Sequence, residues 1–211
     1  MTRLAVAALL VVALGAPAFA GPRDEALAAL ADPDAAVRRR GAAALAESGT
    51  MADVPVLLGA LRDADGAVRA AAEQALWGVW SRSGDDDVDH LLRAGVSELQ
   101  HGQLDASVDT FSEVIQRRPE FAEGWNKRAT VYYMLGEYAK SAADCDEVLK
   151  RNPQHFGALS GYGMIWLRLD QPARALERFE QALAVNPNLE SVRATIELLR
   201  ALLLQQRRNA T

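Results

Sequence analysis

Apolar residues recur at three- and four-residue spacing along most of this chain, which is the periodicity of one face of an α-helix. In the first half, Val54, Leu57 and Leu61 follow the pattern. Gly, Pro and Asp residues interrupt it at regular intervals, as expected between consecutive helices. The pattern therefore predicts an all-α chain. It predicts a last helix over residues 189–206, with these apolar positions on one face: Leu189, Val192, Ile196, Leu199, Leu203.

The second half of the chain repeats itself with a constant period. The equally spaced prolines Pro119, Pro153 and Pro187 mark this period. Aligned on these prolines, the chain divides into three units, 88–121, 122–155 and 156–189. The same residue classes recur at the same places in each unit: Leu91, Trp125 and Leu159 at the fourth position, Gly95, Ala129 and Gly163 at the eighth, Ser107, Ser141 and Ala175 at the twentieth, Phe111, Cys145 and Phe179 at the twenty-fourth.

These choices fit a pair of closely packed helices in each unit. Small residues at the eighth and twentieth positions allow two helices to approach, and bulky residues such as Trp125 and Phe179 are expected to fill the space between units. Gly102 and Gly136 stand where the first helix ends, a place that favours a left-handed residue. The repeat prolines end each second helix because proline cannot continue it.

On these positions the chain resembles the tetratricopeptide repeat family, whose units of about 34 residues are helical hairpins that stack into a solenoid. The resemblance covers positions 88–189 in unbroken register. It implies an all-α solenoid that binds another protein rather than an enzyme. The segment 190–211, a helix and its tail, is then predicted to cap the last unit. A membrane-surface or dimer contact through Leu202, Leu203 and Leu204 is the alternative.

A different repeat, with a slightly shorter period, precedes these units. The segment from Asp32 to Arg38 returns as the segment from Asp63 to Arg69. Residues 21–80 therefore resemble two short HEAT repeats, in which an Asp braces the turn between helices and an Arg of the neighbouring unit pairs with it. An anion-binding patch at Arg38, Arg39 and Arg40 is the competing interpretation. Residues 81–87 are polar and break both periods, which predicts a linker.

The amino-terminal segment, residues 1–20, is predicted to be a secretory signal peptide. Arg3 precedes an uninterrupted apolar run from Leu4 to Leu14, and Ala18 and Ala20 supply small residues before a cleavage site after Ala20. A membrane anchor would need roughly 20 apolar residues. These features predict an exported protein, most simply a periplasmic one, without a membrane span after cleavage.

Composition and motifs argue against several functions. The net charge is −5, which disfavours nucleic acid as a partner. We find no catalytic motif, no cofactor motif and no metal-ligand spacing. The consecutive acids Asp85, Asp86 and Asp87 are interpreted as a solvated helix cap. Cys145 occupies a core position of its repeat and is predicted to be buried, and His155 is predicted to lie on the surface with the other two histidines.

The resemblance also implies where a partner binds. In this family the first helices of the units line a concave groove. Of its positions, Asn126 can hold a peptide backbone, Tyr133 and Met134 can supply apolar contact, and Arg168 can anchor an acidic group. The predicted groove set is Asn126, Thr130, Tyr133, Met134, Ser160, Met164 and Arg168.

One known binding mode of the family is not expected. Some members hold a C-terminal carboxylate with basic residues at positions that here are Leu92, Gly157 and Gly161. The sequence therefore predicts a protein or peptide partner with apolar side chains. The resemblance and the predicted signal peptide together imply a scaffold role in the cell envelope. An accessory or regulatory subunit of an envelope enzyme complex and a self-assembling solenoid are the alternatives.

Overall fold

The computed structural model describes residues 21–209, and every regular element in that range is helical. The predicted signal peptide lies outside the described residues. A short 3₁₀ helix at Met51–Asp53 precedes α3. The eleven α-helices of the described range are α1 (Pro22–Leu30), α2 (Ala35–Ser48), α3 (Val54–Ala60), α4 (Gly66–Trp80), α5 (Asp86–Gln100), α6 (Leu104–Arg117), α7 (Ala122–Met134), α8 (Tyr138–Arg151), α9 (Phe156–Arg168), α10 (Pro172–Val185) and α11 (Glu190–Asn209).

The first four helices form two hairpins joined by the predicted Asp–Arg pairing. Arg38 at the start of α2 donates from Nε to Asp63 Oδ2 at 2.7 Å and from Nη2 to Asp63 Oδ1 at 2.9 Å. The third guanidinium nitrogen, Nη1, donates to the carbonyl oxygens of Asp32 and Pro33. Arg38 therefore ties its own turn to the turn of the next unit, while Arg39 and Arg40 are exposed.

The corresponding arginine of the second hairpin reaches into the other half of the chain. Arg69 Nε donates to Asn188 Oδ1 at 2.9 Å. Asn188 Nδ2 donates in turn to the carbonyl oxygen of Leu61. Arg62 donates to the carbonyl oxygens of Ala184 and Val185, which end α10. The turn after α10 thus occupies the place where a third HEAT unit would continue the stack.

Each of the three hairpins from α5 to α10 is closed at the predicted small positions. Ser107 Oγ donates to the Gly95 carbonyl at 2.9 Å, and Ser141 Oγ makes the equivalent bond to Ala129 at 2.7 Å. Phe111 and Phe179 are buried against Gly95 and Gly163 in the outer units. The close approach predicted from the small residues is confirmed.

The turns within and after the hairpins have the backbone conformations predicted from their glycine and proline residues. Gly102 and Gly136 have φ values of 74° and 79°, and Asp170 takes the same left-handed conformation at φ 54°. Pro172 begins α10, where a missing N–H costs nothing. Pro119, Pro153 and Pro187 each lie just beyond the end of a second helix. The residue before each proline has left the helical conformation, as proline requires.

Trp125 does not fill the space between units as predicted. It is only half-buried, and the guanidinium groups of Arg128 and Arg151 lie 5.2 and 4.8 Å from its ring. Its indole N–H donates to the Pro119 carbonyl at 3.0 Å. The ring is therefore held among cations at the surface, and the truncation cost expected for a core tryptophan does not apply to it.

Helix α11 covers the last hairpin with Val192, Ile196 and Leu199, which pack on Ala175 and Phe179 of α10. Its opposite side leaves Leu198, Leu202 and Leu204 exposed. At the other boundary, α5 begins at Asp86, slightly before the predicted first unit. Among the described residues, no helix combines the length and apolarity that a membrane span needs.

Candidate functional site

A cleft of about 150 Å³ lies between α7 and α9, the first helices of the repeat units 122–155 and 156–189. Of the seven predicted groove residues, Asn126, Thr130, Tyr133 and Met164 line this cleft. Met134, Ser160 and Arg168 do not. The walls are otherwise apolar and small, with these further residues: Ala129, Ser141, Cys145, Gly157, Ala158, Gly161, Ile165.

The missing side chain of Gly161 helps to keep this cleft open. A Cβ atom at Gly161 would have no protein atom within 4 Å. The next residue of the same helix face, Met164, is 42% exposed, so a flexible apolar side chain stands beside open space. Opposite them, Cys145 is buried at the base, and burial raises the pKa of its thiol to about 12. The thiol is therefore a neutral, apolar part of the wall at neutral pH.

At the far end of α7 and α9, two of the predicted residues contact each other. Arg168 Nε donates to Tyr133 Oη at 3.0 Å, and this hydrogen bond raises the pKa of the exposed guanidinium. Tyr133 also packs against Tyr138, with ring centroids 5.6 Å apart. Met134 is 55% exposed. Of these side chains, only Tyr133 lines the cleft, and the cation of Arg168 lies against its phenol.

Asn126 belongs to a buried polar cluster as well as to the cleft. Only 9% of the residue is exposed, and its Nδ2 donates to Glu123 Oε2 at 3.1 Å. Thr130 Oγ1 donates to the Asn126 carbonyl. One amide hydrogen of Asn126 is thus committed within the protein, which narrows its predicted role as a peptide-backbone anchor.

Glu123 and His155 form the centre of that cluster, and both are completely buried. His155 Nε2 lies 3.0 Å from Glu123 Oε2, and the Ala158 N–H donates to His155 Nδ1, so Nε2 carries the proton. Lys127 Nζ lies 2.9 Å from Glu123 Oε1. Burial alone would raise the pKa of Glu123, but the hydrogen bond from His155 and the charge of Lys127 lower it below its ordinary value.

The prediction that His155 lies on the surface is wrong. Its ring stacks on Trp80 with centroids 4.4 Å apart and an interplanar angle of 24°. The sequence contained a signal for this position, because Phe121 and Leu189 are apolar at the equivalent places of their repeats. A histidine there occupies a core position and needs a polar partner.

The end of α4 packs beside this buried cluster, against the start of α9. Trp77 packs on Phe156 with ring centroids 5.3 Å apart, and a Cβ at Gly157 would lie 2.3 Å from the Trp77 ring. The two tryptophans thus pack the HEAT half against the start of α9. A wider cleft of about 590 Å³ separates the ends of α2 and α4 from α5, where Leu92 and Val96 lie.

At the three positions where some family members hold a C-terminal carboxylate, the structure places no basic side chain. Leu92 is 4% exposed, Gly157 is covered by Trp77, and Gly161 faces the open cleft. Asp85 of the linker caps α5, since its side chain accepts hydrogen bonds from the Asp87 and Val88 N–H groups. Within the described range, no group of three His, Cys, Asp or Glu side chains is arranged to hold a metal ion.

The fold and the cleft define an α-solenoid of helical-hairpin repeats, and sequence comparison agrees. The profile described as tetratricopeptide repeat matches residues 92–156 and 163–210, more than half of the chain, and that described as HEAT repeats matches residues 3–77. The chain belongs to the tetratricopeptide repeat family and carries HEAT repeats before those units. The predicted fold and family are confirmed.

Two relatives show how far the similarity extends. A TPR repeat-containing protein of Rhizobium etli is 32% identical over 138 residues, which cover 65% of this chain and 67% of that protein. The small glutamine-rich tetratricopeptide repeat-containing protein of Dictyostelium discoideum is 27% identical over 106 residues. That match covers 50% of this chain and only 32% of the Dictyostelium protein.

Solved structures share the fold of the second half. The first tetratricopeptide domain of Spaghetti (RPAP3), bound to the HSP90 peptide SRMEEVD, has a TM-score of 0.54 at 20% identity, covering 56% of this chain and 93% of that one. The Yersinia enterocolitica type III secretion chaperone SycD, in complex with a peptide of the translocator YopD, has a TM-score of 0.53 at 11% identity, covering 56% and 95%. At these identities the likeness establishes the fold alone.

Proposed function

We propose that this chain is a non-catalytic interaction scaffold that binds a peptide segment of another protein in the cleft between α7 and α9. The observation that carries the proposal is the open apolar space at Gly161, flanked by Met164 and by the Tyr133 end of the cleft. An apolar side chain of a peptide fits such a space, and the polar groups at the two ends can hold its backbone.

Two similar folds support a peptide as the ligand. The Spaghetti domain and SycD were both solved with peptides of other proteins. The present cleft differs in chemistry from a carboxylate clamp, because Leu92, Gly157 and Gly161 replace the basic residues. We therefore propose a partner segment that is recognised by apolar side chains rather than by a free acidic terminus.

We also propose that the protein works in the cell envelope, after export and cleavage following Ala20. The support is the apolar run from Leu4 to Leu14 and the small residues before Gly21. Amino-terminal sequencing of the protein isolated from periplasmic extract tests this part. A mature amino terminus at Gly21 is expected, and an uncleaved protein in the cytosol would contradict it.

Gly161→Leu tests the cleft, because the new side chain would fill it without meeting any protein atom at Cβ. Gly59→Leu is the matched control: Gly59 is also helical, with no atom within 4 Å of a Cβ, but lies on α3 of the HEAT half. Affinity purification should recover a partner with wild type and Gly59→Leu. Gly161→Leu is expected to weaken that interaction at least tenfold, or about 1.4 kcal/mol. Equal recovery with both variants would place the partner elsewhere.

Self-association is a second candidate function, favoured by the exposed leucines of α11. Leu198 and Leu204 are 73% and 57% exposed on the last helix of the stack. Light scattering of wild type and Leu198→Glu distinguishes the two functions. A dimer that becomes a monomer in the variant supports self-association, and a monomer at all concentrations removes it.

A further inference from the structure

A second cavity, of about 180 Å³, lies at the junction of the HEAT and tetratricopeptide halves. It shares no lining residue with the α7/α9 cleft. Four segments form it: the 3₁₀ helix at Met51, the end of α4 with the linker, the loop between α6 and α7, and the end of α8. Junctions between packed units are common places for small-molecule sites.

Met51, Trp80 and Phe121 are the large apolar side chains that line the cavity. One of them, Trp80, carries an unsatisfied donor. Trp80 is 3% exposed, and its indole Nε1–H has no hydrogen-bond acceptor among the described residues. A buried donor without an acceptor destabilises the folded protein. An acceptor held inside the cavity would remove that cost.

The charge of the lining is strongly positive. Arg82, Arg118 and Arg151 line the cavity together with a single acid, Glu120. Glu120 pairs with Arg118, which also lies 3.9 Å from an Asp85 oxygen, and Glu147 pairs with Arg151. These two arginines are therefore at least partly compensated.

Arg82 is different, because within the described range it forms no ion pair. Its Nη1 and Nη2 donate to the carbonyl oxygens of Ala46 and Gly49 at the end of α2. Neutral carbonyls orient the guanidinium without cancelling its charge. A partly buried, uncompensated cation beside an unsatisfied N–H favours an anion that accepts hydrogen bonds.

We propose that this cavity binds a small organic acid with an apolar body. The carboxylate would accept hydrogen bonds from Trp80 Nε1 and from Arg82, and the hydrocarbon part would lie on Met51 and Phe121. The cavity volume suits a body of about the size of one amino-acid side chain. This binding site is independent of the peptide cleft proposed above.

The test uses 4-methylpentanoate as the probe, with 4-methylpentanamide and acetate as matched controls, on the purified full chain. Binding is followed by two-dimensional ¹H–¹⁵N NMR. The Trp80 indole N–H signal, which is assigned by its loss in Trp80→Phe, reports on wild type, and the backbone amide signals report on wild type and every variant. The acid should shift the Trp80 signal saturably at roughly millimolar concentration. The uncharged amide and the short acetate should bind at least about tenfold more weakly.

Two variants remove the two proposed hydrogen-bond donors, and two matched variants outside the cavity control for general damage to the fold. Trp80→Phe keeps an aromatic ring without the N–H, and Arg82→Gln removes the charge; each should weaken binding of 4-methylpentanoate about tenfold or more. Trp166→Phe and Arg178→Gln, which lie on α9 and α10 outside the cavity, should leave it unchanged. The proposal is overturned if no saturable shift occurs in wild type, if the amide binds equally well, or if all four variants bind alike. The wild-type comparison decides the matter even if a variant fails to fold.

Discussion

A methyl group at Gly163 should destabilise the third tetratricopeptide hairpin, although alanine is the better helix former. A Cβ atom there would lie 2.7, 2.8 and 2.8 Å from three atoms of the Phe179 ring. Real Cβ atoms do not approach carbon so closely, so the ring or the helix must move. Phe179 is 2% exposed and packs against α11, which leaves it little room.

The size of the effect follows from two opposing contributions. Overpacking a tight core costs typically about 1–3 kcal/mol. Replacing glycine by alanine within a helix gains up to about 1 kcal/mol. We therefore expect Gly163→Ala to lower the free energy of unfolding by about 1–2 kcal/mol. Gly161→Ala, slightly earlier in α9, meets no atom and should raise it by up to about 1 kcal/mol.

The middle hairpin suggests a compensating variant. It has Ala129 and Cys145 where the outer hairpins have glycine and phenylalanine. The added methyl and the smaller twenty-fourth side chain share the same space. Phe179→Cys alone leaves a cavity, at a cost approaching that of Phe→Ala, about 3–5 kcal/mol. The double variant Gly163→Ala/Phe179→Cys should be more stable than the sum of the two single effects predicts.

Urea unfolding gives the free energy of unfolding of all four variants. The midpoint and the slope are fitted separately, so that a change in the structure of the unfolded state is recognised. The reasoning requires Gly163→Ala to be less stable than Gly161→Ala, and the double-mutant cycle to show a favourable coupling of at least about 0.5 kcal/mol. If the two alanine variants are equally stable, the close packing of Gly163 on Phe179 does not limit this hairpin.

Three further predictions test other contacts. The hydrogen bond from Arg38 lowers the pKa of Asp63 to about 2. The contribution of the Asp63 carboxylate to stability is therefore present above about pH 4 and is lost as the pH falls toward 2. Between about pH 4 and pH 2, the melting temperature of Asp63→Asn should fall less steeply than that of wild type. Trp80→Ala should lower the free energy of unfolding by about 3–5 kcal/mol and expose the linker to limited proteolysis, because the ring joins the two halves; unchanged stability and cleavage would contradict that role. Asp170→Gly should stabilise by up to about 1 kcal/mol at φ 54°, whereas Gly136→Ala at φ 79° should destabilise; equal melting temperatures would count against the strain assigned to both turns.

The sequence predicts most of the local structure, because local rules repeat within it. Pro119, Pro153 and Pro187 fix the repeat length, and the small eighth and twentieth residues define where helices touch. Left-handed turns follow from Gly102 and Gly136, and an acid at the equivalent place takes the same conformation. These features depend on residues within one unit or in adjacent units, so a periodic pattern reveals them.

Contacts between the two repeat types have no such pattern. Trp80 stacks on His155, which lies far later in the chain, and nothing periodic links them. Glu123 is completely buried with His155 and Lys127 as its partners, and His155 lies far from it in the chain. Trp125 shows the opposite case, since two arginines hold an aromatic side chain at the surface.

The candidate site was predicted in part. The family's groove positions placed Thr130, Tyr133 and Met164 beside the cleft, where the structure also has them. The role of Gly161 in keeping the cleft open could not be predicted, because an absent side chain produces no sequence pattern of its own. That a partner segment binds in the cleft stays a prediction.

The central claim, that a partner segment lies in the α7/α9 cleft, is tested most directly by photo-crosslinking in the native host. A photoreactive phenylalanine analogue at position 161 would project into the open cleft, and the same group at position 59 serves as the control. We expect one discrete adduct from position 161, mapping to an apolar segment of an envelope protein, and none from position 59. Adducts of equal yield from both positions, or none from position 161 when the protein is folded and abundant, would contradict the account.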